Sequence, residues 1–105
     1  VKGAAAVSAE EVVRWASANG ARVLGFDDAG VIAPGKLADL AVFELSHPRY
    51  FGLHDPLLGP VVAAGSAYLR HLLVGGRVVV DDGAIPGLDL EQLRHDAARV
   101  VARLA

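Results

Sequence analysis

Apolar and polar positions follow different periods in different parts of the 105-residue chain, and the changes of period mark its elements. Ser8-Ala9-Glu10-Glu11 has the form of a capping box: the Ser8 hydroxyl accepts from the Glu11 N–H, and the Glu11 carboxylate reaches back to the Ser8 N–H. Val12, Trp15, Ala16 and Asn19 follow at helical spacing, which predicts a helix over 9–19 with Gly20 as its left-handed stop. Trp15 is expected to anchor the packing of that helix. A further short turn of helix is expected over Ala21–Leu24, closed by Gly25, before a turn at Asp27-Asp28-Ala29-Gly30.

Pro34-Gly35 is a type II turn signal, from which a strand should leave. Leu40 to Leu45 is nearly continuous in apolar residues, which predicts burial on both faces or a place at a sheet–helix junction. Prolines and glycines then break residues 46–67 into an irregular excursion, with one helical turn around 57–64. The span from Leu69 to Asp82 predicts a β-hairpin with Gly75-Gly76 as its two-residue type I′ loop, and Asp81-Asp82-Gly83 as the turn that ends it. Beyond Pro86-Gly87, Asp89 caps a last helix with Gln92 at its third position. Leu90, Leu93, Ala97, Val100 and Leu104 line one face, and Arg99 and Arg103 suit its C-terminal end. The order is α+β: a small antiparallel sheet containing a β-hairpin, with flanking helices.

Composition adds a tension to this picture. One domain is expected at this length, yet 53% of residues are hydrophobic and the mean hydropathy is +0.41, high for a chain with so much surface per unit volume. Part of that surface is expected to be covered by something else. Twelve acidic against ten basic residues give a net charge of -2 with no basic stripe, which argues against nucleic acid and against a polybasic membrane anchor. The apolar runs are far shorter than the roughly 18–20 residues of a membrane span. The absence of Cys removes disulfides, thiolate zinc sites and thiol nucleophiles. A first residue of Val1 and the absence of Met suggest a processed or partial chain.

Candidate chemistry is sparse. His47, His54, His71 and His95 form no His-x-His or His-x-x-x-His pair, so they offer no metal ligand set by spacing. His54-Asp55-Pro56 places a carboxylate beside an imidazole, although Asp before Pro is also a turn starter. Ser8, Ser17, Ser46 and Ser66 occupy no nucleophile elbow, and the glycines form no phosphate-binding loop. Asp27-Asp28 and Asp81-Asp82 read as solvated turn residues. The residues nominate no catalytic, cofactor-binding or metal-binding side chain. Lys36 and Asp39 are expected to matter structurally, Asp39 by accepting from turn N–H groups and Lys36 by contacting the carboxylate side of its turn.

The order of these signals resembles a known family. "SAEEVVRWASANGARVLG" followed by "GVIAPGKLADLAVF" is similar to the C-terminal region of the amidohydrolase superfamily of metal-dependent hydrolases. "LHDPLLGPVVAAG", "HLLVGGRVVVDDG" and a last helix resemble its guanine, 8-oxoguanine and hydroxyatrazine deaminase branch. The resemblance implies that residues 1–30 are the terminal helical segment of a (β/α)8 barrel and residues 31–105 the C-terminal share of a composite β-sandwich with the final helix. It implies that the complete protein deaminates a nucleobase-like or triazine heterocycle with metal-activated water, on zinc or another divalent metal. The family's ligands, a His-x-His pair, further histidines and a late Asp, have no counterpart here. This chain alone is therefore expected to be inactive and to hold no cofactor. Its expected partners are the missing N-terminal part of the same protein and further copies of itself through an exposed apolar sheet, in the cytoplasm. Two other readings stand beside this one: a stand-alone dimerising interaction module, and a self-sufficient metalloenzyme built on the four histidines.

Overall fold

The computed structural model describes residues 6–62 and 67–105. The capping box forms as the sequence predicts: Ser8 Oγ accepts from Glu11 N at 3.2 Å, and Glu11 Oε2 accepts from Ser8 N at 2.8 Å. Helix α1 (Ala9–Arg14) starts there, with Glu10 and Glu11 at its positive end. It does not stop at Gly20. The chain widens into a π turn over Trp15–Asn19, with the Ser17 hydroxyl donating to Val13 O at 2.6 Å, and re-tightens as α2 (Gly20–Val23). Gly20 stays right-handed at φ -59°, because Ala21 and Arg22 behind it are good helix formers. The end falls at Gly25 (φ 84°), where Gly25 N donates to Arg22 O and Phe26 N to Ala21 O, the paired bonds of a Schellman motif. Trp15 is 52% exposed, so the anchoring expected of it is not made among the described residues.

The sheet is three-stranded and antiparallel in the order β1 (Leu40–Phe43), β2 (Leu69–Val74), β3 (Arg77–Val80). Gly75 and Gly76 take φ values of 57° and 79°, the two positive angles of the predicted type I′ loop. Leu40 pairs with Leu73 and Val42 with His71, and an irregularity at Val42/Phe43 then sets Phe43 opposite Leu69. Regular pairing ends two residues before Leu45. On the other edge a second irregularity at Leu72/Leu73 sets Leu72 opposite Val80. A bulge of this kind adds local twist and re-aims the residues beyond it.

The excursion between β1 and β2 holds a 3-10 turn (Pro48–Tyr50) and a short helix α3 (Leu58–Val62). The predicted helical turn therefore forms in part, and its last residues, with Ser66, lie outside the described residues. The C-terminal helix α4 (Leu90–Leu104) is capped by Asp89, whose Oδ1 accepts from Gln92 N at 3.0 Å. No helix among the described residues is long and apolar enough to cross a membrane.

Burial is where the structure departs furthest from an ordinary small domain. Among the described residues only Tyr50, at 5% exposure, and Gly59 are buried. Ala41, Val42 and Phe43 are exposed, so the burial expected of the Leu40–Leu45 run is not supplied within this chain. A run apolar on both faces needs a layer on each face, and the described residues do not bury β1 on both.

Gly35 sits at φ 81°, and a Cβ there would meet nothing within 4 Å. Gly35→Val is therefore expected to act through backbone strain alone. It should lower stability by about 1–2 kcal/mol, read as a lower urea midpoint at unchanged slope. An unchanged midpoint would contradict this account of the turn.

Candidate functional site

The Pro34–Asp39 segment is a clamp between the helical region and the sheet. Lys36 Nζ donates to Asp27 O at 2.7 Å, and Leu37 N donates to Asp28 O at 2.7 Å. At its other end Asp39 Oδ1 accepts from Gly75 N at 2.7 Å, and Gly76 N donates to Ala38 O at 3.0 Å. Asp39 thus receives a turn N–H as expected, though from the hairpin loop 36 residues away rather than from its own turn. Lys36 meets a backbone carbonyl, not a carboxylate side chain. The clamp holds the type I′ loop in register with β1, a structural task.

Charged groups collect at the far end of the sheet. Arg70 reaches Glu44 at 2.6 Å and Asp82 at 3.6 Å across three segments of chain. Glu44 also accepts from Ser46 N at 2.9 Å, and the Ser46 bonds, with Arg70 beside them, hold its carboxyl below the ordinary carboxylate range. Glu11 is lowered in the same direction by its backbone and side-chain bonds to Ser8, with Arg14 adding a smaller attraction.

The histidines stay apart. His47 Nδ1 accepts from Arg49 N at 3.2 Å and caps the 3-10 turn. His54 and His95 are exposed. Asp55, the carboxylate beside His54, accepts from Leu57 N at 3.0 Å, which makes it a turn starter and not an orienting group for an imidazole. The His–carboxylate pair that does form is His71 with Asp81, at 3.1 Å from Nδ1 to Oδ1. Sequence reading missed it. A two-residue loop places residue 71 beside residue 80, a signal that was available, but the bulge that moves it toward Asp81 has no sequence mark. Among the described residues no group of three or more His, Cys, Asp or Glu side chains is placed to hold a metal ion. The described residues do not fit a zinc site.

A cleft of about 540 Å³ lies between the π turn and one face of β1, lined by residues that include Val13, Ser17, Val31, Ile32, Val42 and Phe43. Its wall is apolar, and several of its side chains are well exposed, with Ile32 at 90%. It has the character of an uncovered packing surface rather than of a small-molecule site, which sets a few convergent polar groups in an enclosed cavity.

Comparison with known proteins decides the family. The sequence signature of the amidohydrolase family matches residues 2–79. The chain belongs to the amidohydrolase family. It is 48% identical over 102 residues to an isoxanthopterin deaminase from an unknown prokaryotic organism, covering 97% of this chain and 21% of that protein. It is 46% identical over 98 residues to the 8-oxoguanine deaminase of Pseudomonas aeruginosa, covering 91% of this chain and 22% of that one. The crystal structure of an adenosine deaminase from Xanthomonas campestris with bound zinc superposes with a TM-score of 0.86 at 32% identity, covering 95% of this chain and 23% of that one. This amidohydrolase chain therefore spans less than a quarter of the length of the relatives it matches. The α+β architecture with its small antiparallel sheet is a piece of the amidohydrolase fold.

The carboxyls of Glu11 and Glu44 should titrate below 4.5 by NMR. A group whose folded pKa lies below its unfolded value stabilises the fold above the unfolded value and loses that contribution as pH falls through the folded one. Stability should thus decline on acidification below about pH 4.5. Ser46→Ala should raise the Glu44 midpoint toward 4.5, and an unmoved midpoint would contradict the assigned cause.

Proposed function

We propose that these residues are the C-terminal, non-catalytic portion of a metal-dependent amidohydrolase whose whole form hydrolytically deaminates a nucleobase-like or triazine heterocycle. The observation that carries this reading is the identity of 46–48% to an isoxanthopterin deaminase and an 8-oxoguanine deaminase, sustained over more than nine-tenths of the chain. The apolar faces support it. β1 and the wall of the cleft are composed as interior surfaces, and in the proposed whole protein the preceding strands of the sandwich and the barrel shell cover them.

In this reading residues 1–30 close the helical shell of the barrel, and residues 31–105 complete the β-sandwich and add the last helix. The Pro34–Asp39 clamp is the joint between the two. Zinc or another divalent metal belongs to the whole protein and is held by residues outside this chain, since those within it do not fit the role. The principal partner of the chain is the remainder of its own polypeptide, and a cytoplasmic location goes with the same reading.

The test is to read the coding frame upstream of Val1, express the whole frame with zinc, and assay ammonia release from isoxanthopterin, 8-oxoguanine and a chlorinated triazine. The expected result is a frame longer by at least the roughly 250 residues of a barrel, containing a His-x-His pair. Turnover of one heterocycle class is expected from the whole protein, and none from the 105 residues alone. Deamination by the 105-residue chain, or a whole frame that turns over none of these classes, would overturn the proposal.

A further inference from the structure

No other element among the described residues buries helix α4. Every residue from Leu90 to Leu104 is exposed except Asp96, which is half-buried. A lone 15-residue helix is marginal in water, so its stability has to come from packing of its apolar face. That face is narrow and regular. Leu90, Leu93, Ala97, Val100 and Leu104 recur at intervals of three and four residues, the spacing of a two-helix seam, and Leu93 and Leu104 are 52% and 83% exposed.

The charges beside the seam are self-complementary in one orientation. Arg103 has no ion pair among the described residues. Asp96, two turns earlier on the same flank, is tied among the described residues only by Gln92 Nε2 at 3.1 Å and by a long 3.7 Å approach from Arg99. Consider two copies of α4 antiparallel about a two-fold axis, with Leu93 against Leu104 of the second copy and Ala97 against Val100 of the second copy. Asp96 then faces Arg103 of the second copy, and the symmetry makes the same pair again on the other half. The helix macrodipoles oppose each other favourably in this arrangement. A parallel pairing leaves Arg103 beyond the end of its neighbour and sets Asp96 beside Val101.

From the seam, the exposure and this charge match, we infer that the occupant of the α4 face is α4 of a second copy of the same chain, in antiparallel register. Two four-turn helices bury less than the roughly 1,200 Å² of a standard interface, so the pairing is weak and concentration-dependent. The inference concerns the helix alone. Its failure leaves the deaminase reading untouched, and the reverse holds as well.

The chain contains no cysteine, so introduced thiols report on the register directly. Ala97→Cys and Val100→Cys variants are oxidised mildly, each alone and as an equal mixture, with His95→Cys on the opposite face as the baseline. Disulfide-linked dimer is expected to form several-fold faster in the mixture than in either variant alone, and His95→Cys should stay unlinked. At low salt Arg103→Glu should reduce the mixed yield several-fold, and Asp96→Arg added in the same chain should restore it. Fastest linkage by Ala97→Cys alone would mean a parallel pair and overturn the inference. Equal linkage at every position, or none in the mixture, would overturn it as well.

Discussion

Strand Leu69–Val74 carries a ladder on both of its edges, and the longer-range ties of the chain are gathered around it. Glu44 N donates to Tyr68 O just before its first residue, and Gly83 N donates to Arg70 O. The Arg70 guanidinium holds Glu44 on one side and approaches Asp82 on the other. At the other end Asp39 fixes the Gly75 N–H, so the hairpin loop and the Pro34–Asp39 segment cannot move independently. The helical region is linked to the sheet through that segment, because Lys36 and Leu37 reach back to the carbonyls of Asp27 and Asp28. The hydrogen-bonded frame is therefore continuous from the helical region to the sheet, while its apolar faces are open.

That combination explains the chemistry found and not found. Polar groups in this chain satisfy one another locally: Ser8 with Glu11, His47 with Arg49, Asp55 with Leu57, Asp89 with Gln92. Side chains engaged in capping and turn formation are oriented along the backbone rather than toward a common point, and convergence on a point is what a catalytic or metal site requires. The apolar side chains are in the opposite condition, with Val42 and Phe43 at 43% and 37% exposure on a strand that is nearly continuous in apolar residues. The proposed role of joint and scaffold accords with this distribution, in which polar groups are engaged internally and apolar side chains face outward.

The features that sequence reading recovered are those whose physics is local. The Ser8 box, the Asp89 cap, the positive φ at Gly35 and the Gly75-Gly76 loop each depend on residues within a few positions of one another. The stop at Gly20 failed because a glycine permits a left-handed turn without imposing one, and the helix formers after it favoured continuation through a π turn. His71–Asp81 and the bulges at Val42/Phe43 and Leu72/Leu73 follow from how neighbouring strands accommodate each other, which no short window contains. The burial expected of the Leu40–Leu45 run is not met among the described residues, where Ala41, Val42 and Phe43 are exposed, because burial is decided by residues far along a chain or on another one rather than by the run itself.

The central claim is that the open faces of this frame are surfaces meant to be covered by the rest of an amidohydrolase. Amide hydrogen exchange over Leu40–Phe43 and Val78–Val80 tests it most directly, measured in the 105 residues alone and in the same residues within the whole reading frame. The account predicts weak protection in the short chain and protection greater by orders of magnitude in the whole protein, with the amides of both sheet edges slowed together. Equal protection in the two would contradict it, because the sheet would then be finished without anything laid against it.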